Sequence, residues 1–290
     1  MTSDPLISVV ELAEQYKGEF ENVIRELVKR VAIFANSTGK IRTYQQFNRE
    51  LLKQRDEMVL KIQDTQSTLR DLDTTKLLRV FSWMAVMLLG LSFGAFFGGI
   101  LSSSLLEFFI SASDAALLAY LVLPLTVYYF LHLPLEITAK DDFVRRYALF
   151  SFAVFEGLLT GYIFSDKDLI GKPPIAALTP MSIALIPHFG SSIIGRDHAK
   201  LVCFTIGGGF LLHLSLGAII DLSLPYILLA GLYGLIGFTV LQLYVNSAGK
   251  DRSQTITHMY QLSFACAVIL SQALVYVIFG FDVKEFTETA

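Results

Sequence analysis

The sequence predicts an all-α polytopic membrane protein: a seven-helix transmembrane bundle preceded by a cytosolic helical hairpin. Segregated charge is the first observation behind this. Residues 1–79 hold 13 of the 23 Lys+Arg and 12 of the 26 Asp+Glu, which leaves only 10 and 14 for the remainder. The second is apolar run length. The chain is 53% hydrophobic with a mean hydropathy of +0.56, and after residue 79 its apolar runs approach the roughly 20 residues that cross a bilayer. A net charge of −3 and the lack of a basic stripe argue against a nucleic-acid partner. Cys203 and Cys266, the two cysteines, both lie inside apolar runs, so no disulfide framework is expected. The N-terminus has no basic start followed by an apolar core, so the first span is expected to direct insertion itself.

Residues 1–79 form the first expected unit. Apolar residues recur at Tyr16, Phe20, Val23, Ile24, Leu27, Val28, Val31 and Phe34, the three-and-four spacing of one helical face. Asn36–Gly39 reads as a turn. A second helix repeats at Ile41, Tyr44, Leu51, Met58, Ile62, Leu69 and Leu72, close to a coiled-coil seam that Asn48, Arg55 and Thr65 interrupt. An antiparallel hairpin satisfies both patterns.

Seven apolar spans follow, at about 80–106, 113–133, 146–165, 175–195, 199–220, 224–246 and 258–280. Lys140, Arg145, Arg146, Arg196, Lys200, Lys250 and Arg252 fall in loops on the side of the N-terminus; Lys167 and Lys172 fall opposite. The excess of positive charge places the N-terminus in the cytosol. The acidic tail 281–290 ends beyond the membrane after seven full spans, or in the cytosol if the last span is re-entrant. Span four carries Pro180 and Pro187 and is expected to kink. Gly90, Gly94 and Gly98 on span one, and Gly157 and Gly161 on span three, repeat every four residues, a spacing that lets helix backbones pack closely.

Within these spans a few residues stand out chemically. Glu156 lies near the middle of span three, where an ionised carboxylate costs at least about 2.5 kcal/mol, so it should face the bundle interior. It reads either as an ion or proton site or as a neutral acid hydrogen-bonded to a neighbouring helix. His188 and His213, in spans four and five, could join it in a proton relay or could bridge helices as neutral donors. Their spacing does not suggest a metal site. Gly90-Leu-Ser92-Phe-Gly94 matches the hydrolase pattern Gly-x-Ser-x-Gly, but that motif needs a strand-to-helix turn and here sits inside an apolar span. No catalytic residue and no cofactor are expected.

Several stretches together carry a family resemblance. These are Arg145–Val154 followed by Gly157 and Gly161, the short loop from Arg196 to Lys200, and Tyr233-Gly-Leu-Ile-Gly-Phe238 with the hairpin after it. Over residues 80–280 the chain resembles the Bax inhibitor-1 family of seven-span membrane proteins, with residues 1–79 as an added module. The resemblance implies residence in the endoplasmic reticulum membrane, negative regulation of apoptosis, and modulation of calcium homeostasis. Its implied partners are the bilayer, calcium ions and cell-death regulatory membrane proteins. That family's calcium leak rests on two aspartates; here the matching positions are Gln242 and Gln261 or Ser263, none of them acidic. The alternative reading is an ion-independent scaffold whose N-terminal hairpin binds a cytosolic partner. A remoter one is an intramembrane hydrolase using Ser92.

Overall fold

Each apolar stretch is helical in the computed structural model, which describes residues 52–53, 55–63, 73–101, 106–132, 139–195, 197–246 and 254–282. The chain divides into two compact units, Met1–Leu60 and Lys61–Ala290. Of the first, the described residues 52–53 and 55–60 are helical. The rest of the expected hairpin, its interrupted seam and the tail beyond Asp282 lie outside the described residues.

The second unit contains seven principal helices: α1 Thr74–Leu101, α2 Ala112–His132, α3 Ala139–Ile163, α4 Leu178–Phe189, α5 His198–Ile220, α6 Leu224–Asn246 and α7 Gln254–Phe279. Five of them, α1, α2, α5, α6 and α7, are long and apolar enough to cross a membrane. The seven-span expectation is therefore met in helix order but not in length or composition. The first two turns of α3 carry Asp142, Arg145 and Arg146. At 12 residues, α4 extends only about 18 Å, short of a hydrocarbon core of about 30 Å.

Local chemistry explains these boundaries. Asp73 caps α1, its carboxylate accepting from the backbone N–H of Thr75 at 3.0 Å and of Lys76 at 3.2 Å. Ser111 caps α2 by accepting from Asp114 N–H. Inside α2 the turn Leu118–Val122 widens to a π-helix, immediately before Pro124, whose ring opposes the carbonyl four residues back. Pro180 sits in the first turn of α4, where no intrahelical N–H is lost. Pro187 is interior, and the helix ends two residues later. Span four is thus ended rather than merely kinked, with a short turn Ser191–Ile194 after Gly190. In α5 the turn Cys203–Gly207 is again π-helical. The freed Thr205 carbonyl accepts from the Ser182 hydroxyl of α4 at 3.0 Å.

The tightest packing joins α1 to α3. A Cβ added at Gly94 would lie 2.1 Å from the Val154 carbonyl oxygen, and one at Gly98 2.0 Å from that of Leu158. From the other side, a Cβ added at Gly157 would run into the Leu91 carbonyl and one at Gly161 into that of Ala95. A Cβ added at Gly90 would meet the side chains of Phe150 and Val154 rather than backbone. Around this seam, Phe81 of α1 packs edge-on against Tyr244 of α6 at 5.7 Å, and Leu88, Phe152, Tyr233 and Phe264 are fully buried.

Two sets of contacts mark the two ends of the bundle. At one end, β1 (Lys167–Asp168) pairs antiparallel with β2 (Phe281–Asp282), Lys167 opposite Asp282. There too the Tyr162 hydroxyl donates to the Ile110 carbonyl at 2.7 Å. This is called the ladder end. At the opposite end the Asn246 amide donates to the Lys61 carbonyl, and Arg145 donates to the Leu131 carbonyl at 3.1 Å.

Two outcomes follow from this packing and capping. Gly157→Ala forces a methyl into the Leu91 carbonyl and should destabilise the bundle by about 1–3 kcal/mol or more. Gly231→Ala, where an added Cβ meets nothing within 4 Å, should leave thermal unfolding in detergent unchanged or slightly raised. For Asp73, the Lys76 backbone N–H holds the carboxyl below its ordinary value. Its capping contribution is thus fully present above the unfolded carboxyl range and is lost as pH falls through the lowered folded value. Comparing Asp73→Ala with the parent across an acid titration by circular dichroism should show a difference at neutral pH that vanishes in acid.

Candidate polar interior of the bundle

Polar side chains inside an apolar bundle must find partners there, because lipid offers none. In this chain they form three groups. The first centres on Glu156 of α3, which is fully buried. Neither of its carboxyl oxygens has a hydrogen-bond partner among the described residues. The side chains that sense its charge are Tyr120, in the π-helical turn of α2, and Cys266 of α7. The Tyr120 hydroxyl is likewise buried without a partner. One turn toward the ladder end, the Thr160 hydroxyl donates to the Glu156 backbone carbonyl at 2.8 Å.

Thr160 also lines a cavity of about 470 Å³ between α1, α3 and α7. Ser92, Ser165, Gln272 and Tyr276 contribute polar groups to its wall, and Pro173 and Pro174 of the connection to α4 border it. Ser92 is continuous α1 helix, its hydroxyl donating to the Leu88 carbonyl at 3.0 Å. The strand-to-helix turn of a hydrolase nucleophile is absent there.

The second group centres on His213 of α5. Its Nε2 shares a hydrogen bond with the Thr179 hydroxyl of α4 at 3.0 Å, and its carbonyl accepts from the Tyr226 hydroxyl of α6 at 2.7 Å. The Tyr233 ring lies 6.1 Å away, and the Tyr233 hydroxyl accepts from Gln272 of α7 at 2.9 Å. These bonds tie α4, α5, α6 and α7 together. His188, by contrast, is exposed near the end of α4 against Phe189. Glu156, His188 and His213 therefore occupy three different surroundings rather than one relay.

The third group escaped sequence reasoning. His258 at the start of α7 is buried; its Nε2 lies 2.9 Å from Asp142 Oδ1 of α3, and its Nδ1 lies 3.1 Å from Gln261 Oε1. The Gln261 amide nitrogen donates to the Val80 carbonyl of α1 at 3.3 Å. Arg146 closes the chain on Asp142 Oδ2 at 2.9 Å. Both imidazole nitrogens face a side-chain oxygen of a neighbouring residue. The available signals were local: His258 and Gln261 share a helical face at i,i+3, and Asp142 and Arg146 at i,i+4.

This geometry also corrects the reading of the paired positions. Gln261 turns to α1 and His258, and Ser263 faces outward. Gln242 is fully buried, with both amide atoms unpartnered among the described residues. Among the described residues, no hydrogen bond joins Gln242 to Gln261 or Ser263. Among the described residues, no group of three or more His, Cys, Asp or Glu could hold a metal ion.

Fold and interior together define a helical bundle in which five helices are long and apolar enough to cross a membrane and several polar residues join helices. Within that class the chain belongs to the family described as Interactor of ZYG-11, whose model matches residues 5–282. Comparison with curated proteins and with solved structures returns no match. The family match overturns the Bax inhibitor-1 resemblance, and with it the expected apoptosis regulation and calcium modulation. It also begins well before residue 79, so the N-terminal segment is not an addition to a family core. The stretches that suggested the resemblance are basic span flanks, four-residue glycine spacing and short polar loops. Any multi-span helical protein needs these, because the bilayer imposes them.

The third group gives a direct test. Asp142→Ala leaves His258 Nε2 buried without its carboxylate and should cost about 1–3 kcal/mol in thermal unfolding. Asp142→Asn keeps an acceptor at that site and should cost less; equal losses would show that the hydrogen bond contributes nothing.

Proposed function

We propose that this chain is a membrane-embedded, non-enzymatic protein that acts by binding a protein partner of the ZYG-11 type. The observation that carries this reading is the family match over residues 5–282, together with the family's printed description as an interactor. The five apolar helices support a bilayer location, which leaves the polar segments between and before them as the surface a soluble partner can reach.

The bilayer is crossed seven times in this reading, with α3, and α4 together with the turn Ser191–Ile194 that extends it, completing the set. The pairing of β1 with β2 supports it, since the end of α3 and the end of α7 then share one side. Arg146 and Lys200 then fall on the opposite side, and positive charge favours the cytosol. The N-terminus shares that side. Nothing in the proposal requires turnover: Ser92, His188 and His213 sit apart, each in its own surroundings.

Binding of the full chain in lipid nanodiscs to a purified ZYG-11-type protein tests the proposal. Saturable binding is expected, with hydrogen-exchange protection on polar segments outside α1–α7. Absence of binding, or protection confined to the lipid-facing helix surfaces, would contradict it.

A further inference from the structure

Glu156 does not behave like a structural polar residue. Each of the other two groups uses its side chains as ties: His213 to Thr179, Gln272 to Tyr233, and Asp142 through His258 and Gln261 to α1. Glu156 ties nothing. Its two oxygens are fully enclosed and unpartnered, although an unmade hydrogen bond in such a place costs free energy. An acid kept only for packing would be better replaced by an apolar residue of similar volume.

Its surroundings suggest what it is kept for. The Tyr120 hydroxyl, also enclosed and unpartnered, senses the Glu156 charge from α2. The π-helical turn Leu118–Val122 carries Tyr120, and such turns often mark functional positions. These two polar groups are not bonded to each other. The ladder-end cavity begins one turn away: Thr160, bonded to the Glu156 backbone, lines it from α3, and Ile269, one turn beyond Cys266, lines it from α7. One turn is about 5.4 Å, a gap that one or two ordered waters can bridge where polar partners exist. Ser92 and Thr160 hydroxyls stand on the cavity wall on that route.

We infer that Glu156 is a proton-binding site, loaded and unloaded through the ladder-end cavity. A proton is the ligand that fits, because no cluster among the described residues could hold a metal ion. The step is an acid–base exchange: water in the cavity accepts the carboxyl proton as hydronium and returns it, with no other bond broken. Among the described residues of the packed elements, no cation stands beside the carboxyl. Tyr120 of α2 and Cys266 of α7 are the titratable groups that sense it. Between Val80 and Leu101, α1 carries no titratable side chain; His188, the only such residue of α4, is exposed. The inference stands apart from the partner proposal, and either can fail without the other.

Infrared difference spectroscopy of the full chain in nanodiscs, titrated from about pH 5 to pH 10, reads the carboxyl directly. A protonated-carboxyl C=O band that disappears as pH rises is expected, absent in Glu156→Gln. If that variant fails to fold, Glu156→Asp should shift the band. Ser165→Trp, which fills the cavity, should slow the band's response to a pH jump several-fold. A band insensitive to both Glu156 substitutions, a carboxyl that does not titrate over the range, or a response that Ser165→Trp leaves unchanged would overturn the inference.

Discussion

Backbone contact between α1 and α3 is the constraint on which the rest of the structure depends. Gly94, Gly98, Gly157 and Gly161 each face a carbonyl oxygen of the other helix so closely that no side chain fits. In a bilayer, helix association draws little on the hydrophobic effect, so close packing of small residues has to supply it. The seam fixes α1 against α3 along most of their lengths. It thereby sets where Glu156 and Thr160 stand relative to Ser92, and where α7 can pack. The cavity at the ladder end lies between these two helices and α7, and the loop with Pro173 and Pro174 borders it.

The seam was legible in the sequence because glycine at four-residue spacing has few other uses in an apolar span. Helix positions were legible for the same reason: bilayer thickness leaves long apolar runs. The interior placement of Glu156 followed from the cost of exposing a carboxylate to lipid. The network of Asp142, His258 and Gln261 was not legible, because Asp142 and His258 are 116 residues apart. Each looked like an ordinary polar residue near the end of a span. The β1–β2 pairing was hidden too, since Lys167 reads as a loop charge and Asp282 as part of an acidic tail. Span four was overestimated because hydropathy continues past Phe189, whereas Pro187 and Gly190 end the helix.

The same constraints explain why the family resemblance misled. Order and spacing of basic flanks, glycines and short loops report on the membrane as solvent rather than on descent. Residues free of that pressure are more informative, and in this chain many lie before residue 79, inside the matched family region. Polar interiors show the same division: the His213 and His258 groups join helices, whereas Glu156 and Gln242 have no side-chain partner among the described residues, and of these two Glu156 is the acid.

The account's central claim is that α1–α7 form one bundle that brings the end of α3 to the end of α7 on one side of a membrane. Oxidative cross-linking of Lys167→Cys with Asp282→Cys, in a Cys203→Ser background and in intact membrane vesicles, tests it most directly. Opposed residues of an antiparallel pair lie within disulfide reach. The account predicts a rapid intramolecular cross-link, with both thiols reached by an impermeant reagent from the side opposite Lys200. No cross-link, or thiols reached from opposite sides, would contradict it.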